Sequence, residues 1–212
     1  MFSWLSRRRT SALSSEKLRV LDALRGYPPY TPPIWNSYAQ SAESANEEYV
    51  RYFIDQRHPR LQALRRFLEK FDVAQGFTDQ NIREVSTWLP TYADLLVDGL
   101  QHQESDALWR AYNWFEAPWT GSLLGLNVVF DIGIYMGECI IYRNPKLQWR
   151  PHVAPEPMSG ASHFIDFPKR RRPFNPMKWS YTECKNIHSA KENRETWSED
   201  SFYGNIVARA KD

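Results

Sequence analysis

The sequence predicts an α+β fold: mainly helical, with a central buried helix and a small antiparallel sheet in the C-terminal half. Three observations carry this. From about residue 37 to residue 114, apolar side chains recur at helical spacing. Residues 123–141 (LLGLNVVFDIGIYMGECII) are the most apolar stretch, yet they include Asn127, Asp131, Tyr135 and Glu138. At steps of four, four and three, those residues form one polar stripe on a helix. Beyond them the chain turns to β-branched and aromatic residues separated by turn signals. Helices come first and strands after, so the helix–strand alternation of a doubly wound parallel sheet is absent.

In chain order, residues 1–15 read as a mobile basic leader carrying Arg7, Arg8 and Arg9. Residues 16–190 form a single α+β domain, and residues 191–212 are an arm that docks or a tail that frays. A short helix capped by Ser14 or Ser15 presents Leu18, Leu21 and Leu24 on one face and ends near Gly26. The proline-rich segment 27–35 (YPPYTPPIW) cannot continue that helix and reads as an extended arm on its own domain. A helix over 37–56 has Tyr38, Ala42, Ala45, Tyr49, Tyr52 and Phe53 along its apolar side. Pro59 opens another, to about Asp72, burying Leu61, Leu64, Phe67, Leu68 and Phe71.

Thr78, with Asn81 and Glu84 following, marks the next start, and Ile82, Val85, Trp88 and Leu89 face inward. Pro90 breaks that helix, residues 92–100 add a further one, and residues 104–114 lead into an aromatic turn over 114–119. Thr120 caps the central helix, which ends around Gly137. Strands are expected over 138–143, 147–153 and 164–167, the first two joined at Asn144, Pro145 and Lys146. Pro151, Pro155 and Pro157 keep the sheet small. Asn175 and Pro176 open a last helix, through His188.

Composition narrows the functional classes. Hydrophobic residues make up 42% and charged residues 25% of the chain, which excludes a disordered protein. Nine Trp, 11 Tyr and 11 Phe imply large amphipathic side chains in the core and on a contact surface. The net charge of +2 favours no class of partner. Cys139 and Cys184 have no metal-ligand spacing, and Cys139, in an apolar run, reads as a buried reduced thiol. Residues 123–141 have about the length of a membrane span, but their Asp and Glu oppose a single-pass helix. The leader has no apolar run long enough for secretion, so a cytoplasmic location is expected.

Three constellations could carry function. Asp131 and Glu138 stand about two helical turns apart, roughly 10 Å, with Tyr135 between them. That is the far edge of the spacing between the two carboxyls of an inverting glycosidase, and Tyr135 could orient a water or sugar hydroxyl. The preferred alternative is packing, in which both carboxylates pair with Arg143, Arg150 or Lys178. Gly125, Gly133 and Gly137 cost a helix about 1 kcal/mol each, which close approach of another element offsets.

The second constellation is the basic cluster Lys169, Arg170, Arg171 and Arg172, between Pro168 and Pro173. It suits a nucleic-acid backbone or, in the preferred reading, is a solvated loop or a patch matched to an acidic protein partner. Trp114, Trp119 and Trp149 form the third set, as aromatic anchors of an interface or members of the core. His152 and His163 flank a loop near Glu156 and Asp166, but no metal spacing holds, and no metal or cofactor is expected. No GxSxG elbow and no phosphate loop exist.

Gly133, Tyr135, Gly137 and Glu138, followed by Trp149 beyond a turn, resemble a signature of uncharacterised bacterial domains. In those, a helix ending in Gly-x-Tyr-x-Gly-Glu precedes a hairpin with Trp on its second strand. The resemblance covers about residues 123–149 and implies that helix-then-hairpin arrangement. By analogy with small α+β domains of bacterial toxin–immunity loci, it implies an immunity-type inhibitor that occludes a toxin or effector. The alternatives are a hydrolase using Asp131, Tyr135 and Glu138, and a nucleic-acid binder using the basic cluster.

Overall fold

Helix α5 (Gly125–Arg143) runs through the middle of the protein and packs against α2 (Glu43–Glu69), α3 (Asp79–Asp98), α6 (Pro176–Glu192) and α7 (Ser201–Ala210). The computed structural model describes residues 15–36, 43–98, 105–153, 161–167 and 173–211. Around this centre stand α1 (Ser15–Leu24), α4 (Ser105–Trp114) and a two-stranded antiparallel sheet, β1 (Trp149–Val153) with β2 (Ala161–Ile165). The fold is thus α+β, mainly helical, with its small sheet in the C-terminal half. The described part of the basic leader begins at Ser15; residues 1–14 lie outside the described residues.

Helix α1 buries Val20, Ala23 and Leu24, while Leu18 and Leu21 are exposed, so the apolar face differs from the expected one. The cause is the exit of the chain. Gly26 takes a left-handed φ of 73°, ends the helix and turns Tyr27 inward beside Leu24. The proline-rich arm then lies extended on its own domain. Tyr30, Pro32 and Ile34 point inward in alternation, and the Asn36 amide donates to Phe115 O at 2.9 Å.

Pro59 and Pro90 were expected to divide helices, and neither does. Helix α2 runs through Pro59 and α3 through Pro90. Each interior proline costs about 3 kcal/mol. Continuity keeps one buried stripe intact: Tyr49, Phe53, Arg60, Leu64, Phe67 and Leu68 in α2, and Ile82, Val85, Leu89, Ala93 and Leu96 in α3. Burying those side chains outweighs two lost backbone bonds. Thr78 caps α3 as expected, its Oγ1 accepting from the Asn81 amide at 3.2 Å. Of the apolar side expected for 37–56, Tyr49 and Phe53 are buried, and Tyr38 and Ala42 lie outside the described residues.

The central helix does not start on Thr120, whose side chain makes no cap bond; a 3-10 turn, Gly121–Leu123, precedes it. Nor does it end at Gly137. Residues 138–143, expected as a strand, continue α5 to Arg143 because Cys139 and Ile140 stay in the core. The Asn144 amide closes the helix onto Ile140 O and Ile141 O. The hairpin is therefore built from the second and third expected strands, with Trp149 opposite Ile165 and Val153 opposite Ala161.

Helix α6 begins where expected: Asn175 Oδ1 accepts from the Lys178 amide at 2.9 Å, with Pro176 at the first position. It extends past His188 to Glu192 and is not the last helix. The C-terminal segment forms α7 and docks through buried Phe202 and Ile206. The segment from Gly121 to Arg143 is long and apolar enough to cross a membrane, and it is mostly buried inside the protein.

Candidate functional site

The four polar residues of α5 share one flank, and each has a partner. Asn127 sits in a cage of backbone: its Oδ1 accepts from the Tyr30 amide at 2.6 Å, and its Nδ2 donates to Trp119 O and Leu124 O at 2.8 and 2.9 Å. Asp131 is fully buried. Its Oδ1 accepts from Arg60 Nε at 2.7 Å. Its Oδ2 accepts from Tyr27 hydroxyl at 2.5 Å and lies 2.7 Å from Arg60 Nη2. Arg60 also donates to Pro28 O at 2.5 Å and stands against the Tyr27 and Tyr30 rings.

Burial pushes the Asp131 carboxyl up to about 6, while Arg60 and the Tyr27 hydroxyl pull it down. All its hydrogen-bonding neighbours are donors, so the group is a carboxylate at neutral pH, held in an internal ion pair. Its burial leaves it no contact with solvent.

Of the next two members, Tyr135 is buried and Glu138 lies nearer the surface. Tyr135 donates to Gly76 O at 2.6 Å, and burial drives its phenol far above the ordinary range. Glu138 is partly exposed; its Oε1 accepts from Arg57 Nη1 at 2.6 Å and from Trp149 Nε1 at 2.7 Å. The ion-pair partners are thus Arg57 and Arg60 of α2. Arg143, Arg150 and Lys178 are occupied elsewhere: Arg143 with Asp79, Arg150 with Asp166, and Lys178 over the Trp109 ring. Helix α2 runs alongside the polar flank of α5, which is why it supplies both cations.

Arg60 was legible and overlooked. It falls on the buried stripe of α2, seven residues after Phe53 and four before Leu64, where a cation requires a buried acid. Tyr27 and Tyr30 gave no such signal, because their role depends on where the arm crosses α5.

The three glycines serve close approach. A Cβ on Gly125 would overlap the Leu96 carbonyl oxygen, one on Gly133 would crowd Met177, and one on Gly137 would enter the Trp149 ring. Gly137 lies inside α5 and is no helix terminator.

Among the tryptophans, Trp119 is core: its ring stacks on Tyr112 at 5.3 Å and its Nε1 donates to Ala111 O at 2.9 Å. Trp114 and Trp149 are half-buried. Trp149 is spent on Glu138 and on an edge contact with Phe53. Lys169, Arg170, Arg171 and Arg172 lie outside the described residues, as does Glu156.

His163 is buried among Phe53, Tyr49 and Phe130 rather than facing a loop. Cys139 and Cys184 are buried thiols, pushed upward by desolvation, and no metal-ligating cluster occurs among the described residues.

Burial lowers His163 to about 3, so the ring is neutral in the fold and protonated in the unfolded chain between that value and 6.5. The unfolded state then binds the extra proton, and stability falls as pH drops through that window, by up to about 1.4 kcal/mol per unit. Replacing His163 with Phe is expected to remove that slope. Urea unfolding of both proteins from pH 7 to pH 4 measures the difference, and parallel curves would count against this burial.

A second feature was missed entirely. A groove of about 600 Å³ opens between β2, α6 and α7, lined by Phe164, Phe174, Trp179, Lys178 and Arg209, with Pro173, Asn175 and Thr182. Among the described residues no carboxylate lines it. Arg209 lies 3.7 Å over the Phe174 ring. Comparison with protein-family models, curated proteins and solved structures returned no match for this chain.

Proposed function

We infer that the protein is a binding module for an acidic partner protein, which docks along the groove between β2, α6 and α7. The composition of that groove carries the reading: two cations and three aromatic rings, with no acid among the described lining residues. Aromatic anchors beside fixed positive charge are what recognition of an acidic surface requires. Connectivity adds to the charge. Lys169, Arg170, Arg171 and Arg172 lie in sequence between Phe167 and Pro173, so the chain tethers four further cations within a few residues of the rim. An immunity-type inhibitor covering a toxin or effector is the form of this reading that the bacterial resemblance favours.

The polar stripe of α5 supports the reading indirectly, since Asp131 is consumed by Arg60 and Tyr27 and offers no accessible acid for hydrolysis. Purification of the tagged chain from its source cells, alongside the Lys178→Glu/Arg209→Glu variant, tests the proposal. The expected result is one acidic protein at about equal stoichiometry, unaffected by nuclease, and bound at least about tenfold more weakly by the variant, or about 1.4 kcal/mol. Equal recovery by the variant overturns it. Loss of the bound material on nuclease treatment moves the reading to nucleic acid.

A further inference from the structure

A separate cavity lies between α2, the loop that follows it and α5. Its walls are Leu61, Phe77 and Tyr135, with His58, Gln62, Arg65, Gln75 and Gly76 around them. Its volume is about 210 Å³. Sites for small metabolites usually occupy about 300–1,000 Å³, so this space suits a single side chain better than a whole ligand.

Its floor is rigid. The Tyr135 hydroxyl is fixed on Gly76 O, and the ring belongs to a stack running from core to surface: Phe202 and Tyr135 at 6.0 Å, Tyr135 and Phe77 at 6.3 Å, Phe77 and Tyr142 at 5.0 Å. The outer member, Tyr142, is 65% exposed, which leaves a large flat ring unburied against Phe77 of the cavity wall. An exposed aromatic ring stacked on fixed neighbours beside a small cavity is the arrangement of an interface hot spot.

The polar rim is short of acceptors. Among the described residues no carboxylate lines the cavity, and Arg65 is the one Lys or Arg side chain in its lining. Arg65 uses Nε on Glu69, which leaves the rest of its donor fork for another acceptor. The Gln75 side-chain nitrogen is buried with no acceptor among the described residues.

We propose that this cavity is a socket for one apolar or aromatic side chain of a partner polypeptide that carries a carboxylate next to it. The ring enters between Leu61 and Phe77, and the carboxylate meets Arg65 and the Gln75 amide. The socket uses other elements than the groove between β2, α6 and α7, so it stands or falls independently of that reading.

The probes are two short acetylated peptides, one with a tryptophan flanked by aspartates and the other with the same tryptophan flanked by lysines. Binding is followed by amide chemical shifts of the intact protein, with Gly76 as the local reporter. The expected result is saturable binding of the aspartate peptide only. That binding weakens at least about tenfold in Arg65→Glu, which takes up the lysine peptide instead, and also weakens in Tyr142→Ala. Both substitutions are at exposed positions, and melting curves of the variants verify their folding. Arg25→Glu, an exposed cation outside the lining of the cavity, is the control and leaves the response at Gly76 unchanged.

Equal binding of both peptides, or no shift at Gly76 with either, overturns the proposal. Concentration-dependent self-association that vanishes in Tyr142→Ala also overturns it, by making a second copy of this chain the occupant.

Discussion

Replacing Asp131 with Leu, or Arg60 with Met, is expected to lower the free energy of unfolding by about 3–5 kcal/mol, the usual cost of removing one partner of a buried ion pair. Neither side chain has solvent to fall back on: Arg60 is 3% exposed and Asp131 0%. In Asp131→Leu the guanidinium keeps Pro28 O as its one hydrogen-bond acceptor among the described residues, and the Tyr27 hydroxyl loses its acceptor; in Arg60→Met the carboxylate keeps one phenol. The Tyr27 contact makes the effect reach the arm, since Tyr27 and the Tyr30 amide are what anchor segment 27–35 to α5. Glu138→Gln is expected to cost less, because Glu138 and Arg57 are about a quarter exposed and solvent can replace part of their attraction. Urea unfolding measures all three, and a drop below about 1 kcal/mol for the first two would place the pair in a far wetter setting than its burial implies.

The second large effect comes from a single methyl group. Gly125→Ala drives a Cβ into the Leu96 carbonyl oxygen, and backbone cannot rotate aside as a flexible side chain can. Helix α3 or the start of α5 must move, and overpacking of this kind costs about 1–3 kcal/mol or more. Intrinsic propensity runs the other way, since alanine is about 1 kcal/mol better than glycine inside a helix. Gly204→Ala isolates that opposing term. Nothing lies within 4 Å of a Cβ there, so this substitution in α7 is expected to raise stability by up to about 1 kcal/mol. Thermal melts of the two variants should move in opposite directions; a shift of the same sign in both would mean that α3 and α5 do not touch at Leu96.

What the sequence made legible was local and periodic. The Thr78 and Asn175 caps, the inward face of α3 and the polar stripe of α5 follow from side-chain chemistry within a few residues, and each is present. Errors arose where distant packing overruled local preference. Ile140, Ile141 and Tyr142 are good strand formers, yet burial of Cys139 and Ile140 against neighbouring helices carried α5 onward. Pro59 and Pro90 are strong helix breakers, yet the buried stripes on either side kept each helix whole. The candidate stripe was visible, but its partners were not. Arg57 and Arg60 lie more than 70 residues away in sequence, and pairing across that distance is set by how α2 crosses α5. The groove between β2, α6 and α7 joins elements with no shared periodicity, so only the folded chain reveals it.

A double-mutant cycle on Arg60 and Asp131 tests the central claim most directly, namely that the polar flank of α5 is internal bonding. Combining Arg60→Met with Asp131→Leu removes both charges and leaves no unpaired charge, so the double variant should be clearly more stable than the sum of the single losses predicts. A coupling of at least about 2 kcal/mol is expected from urea unfolding. Losses that add within about 0.5 kcal/mol would show that the two residues do not depend on each other, and would contradict the account.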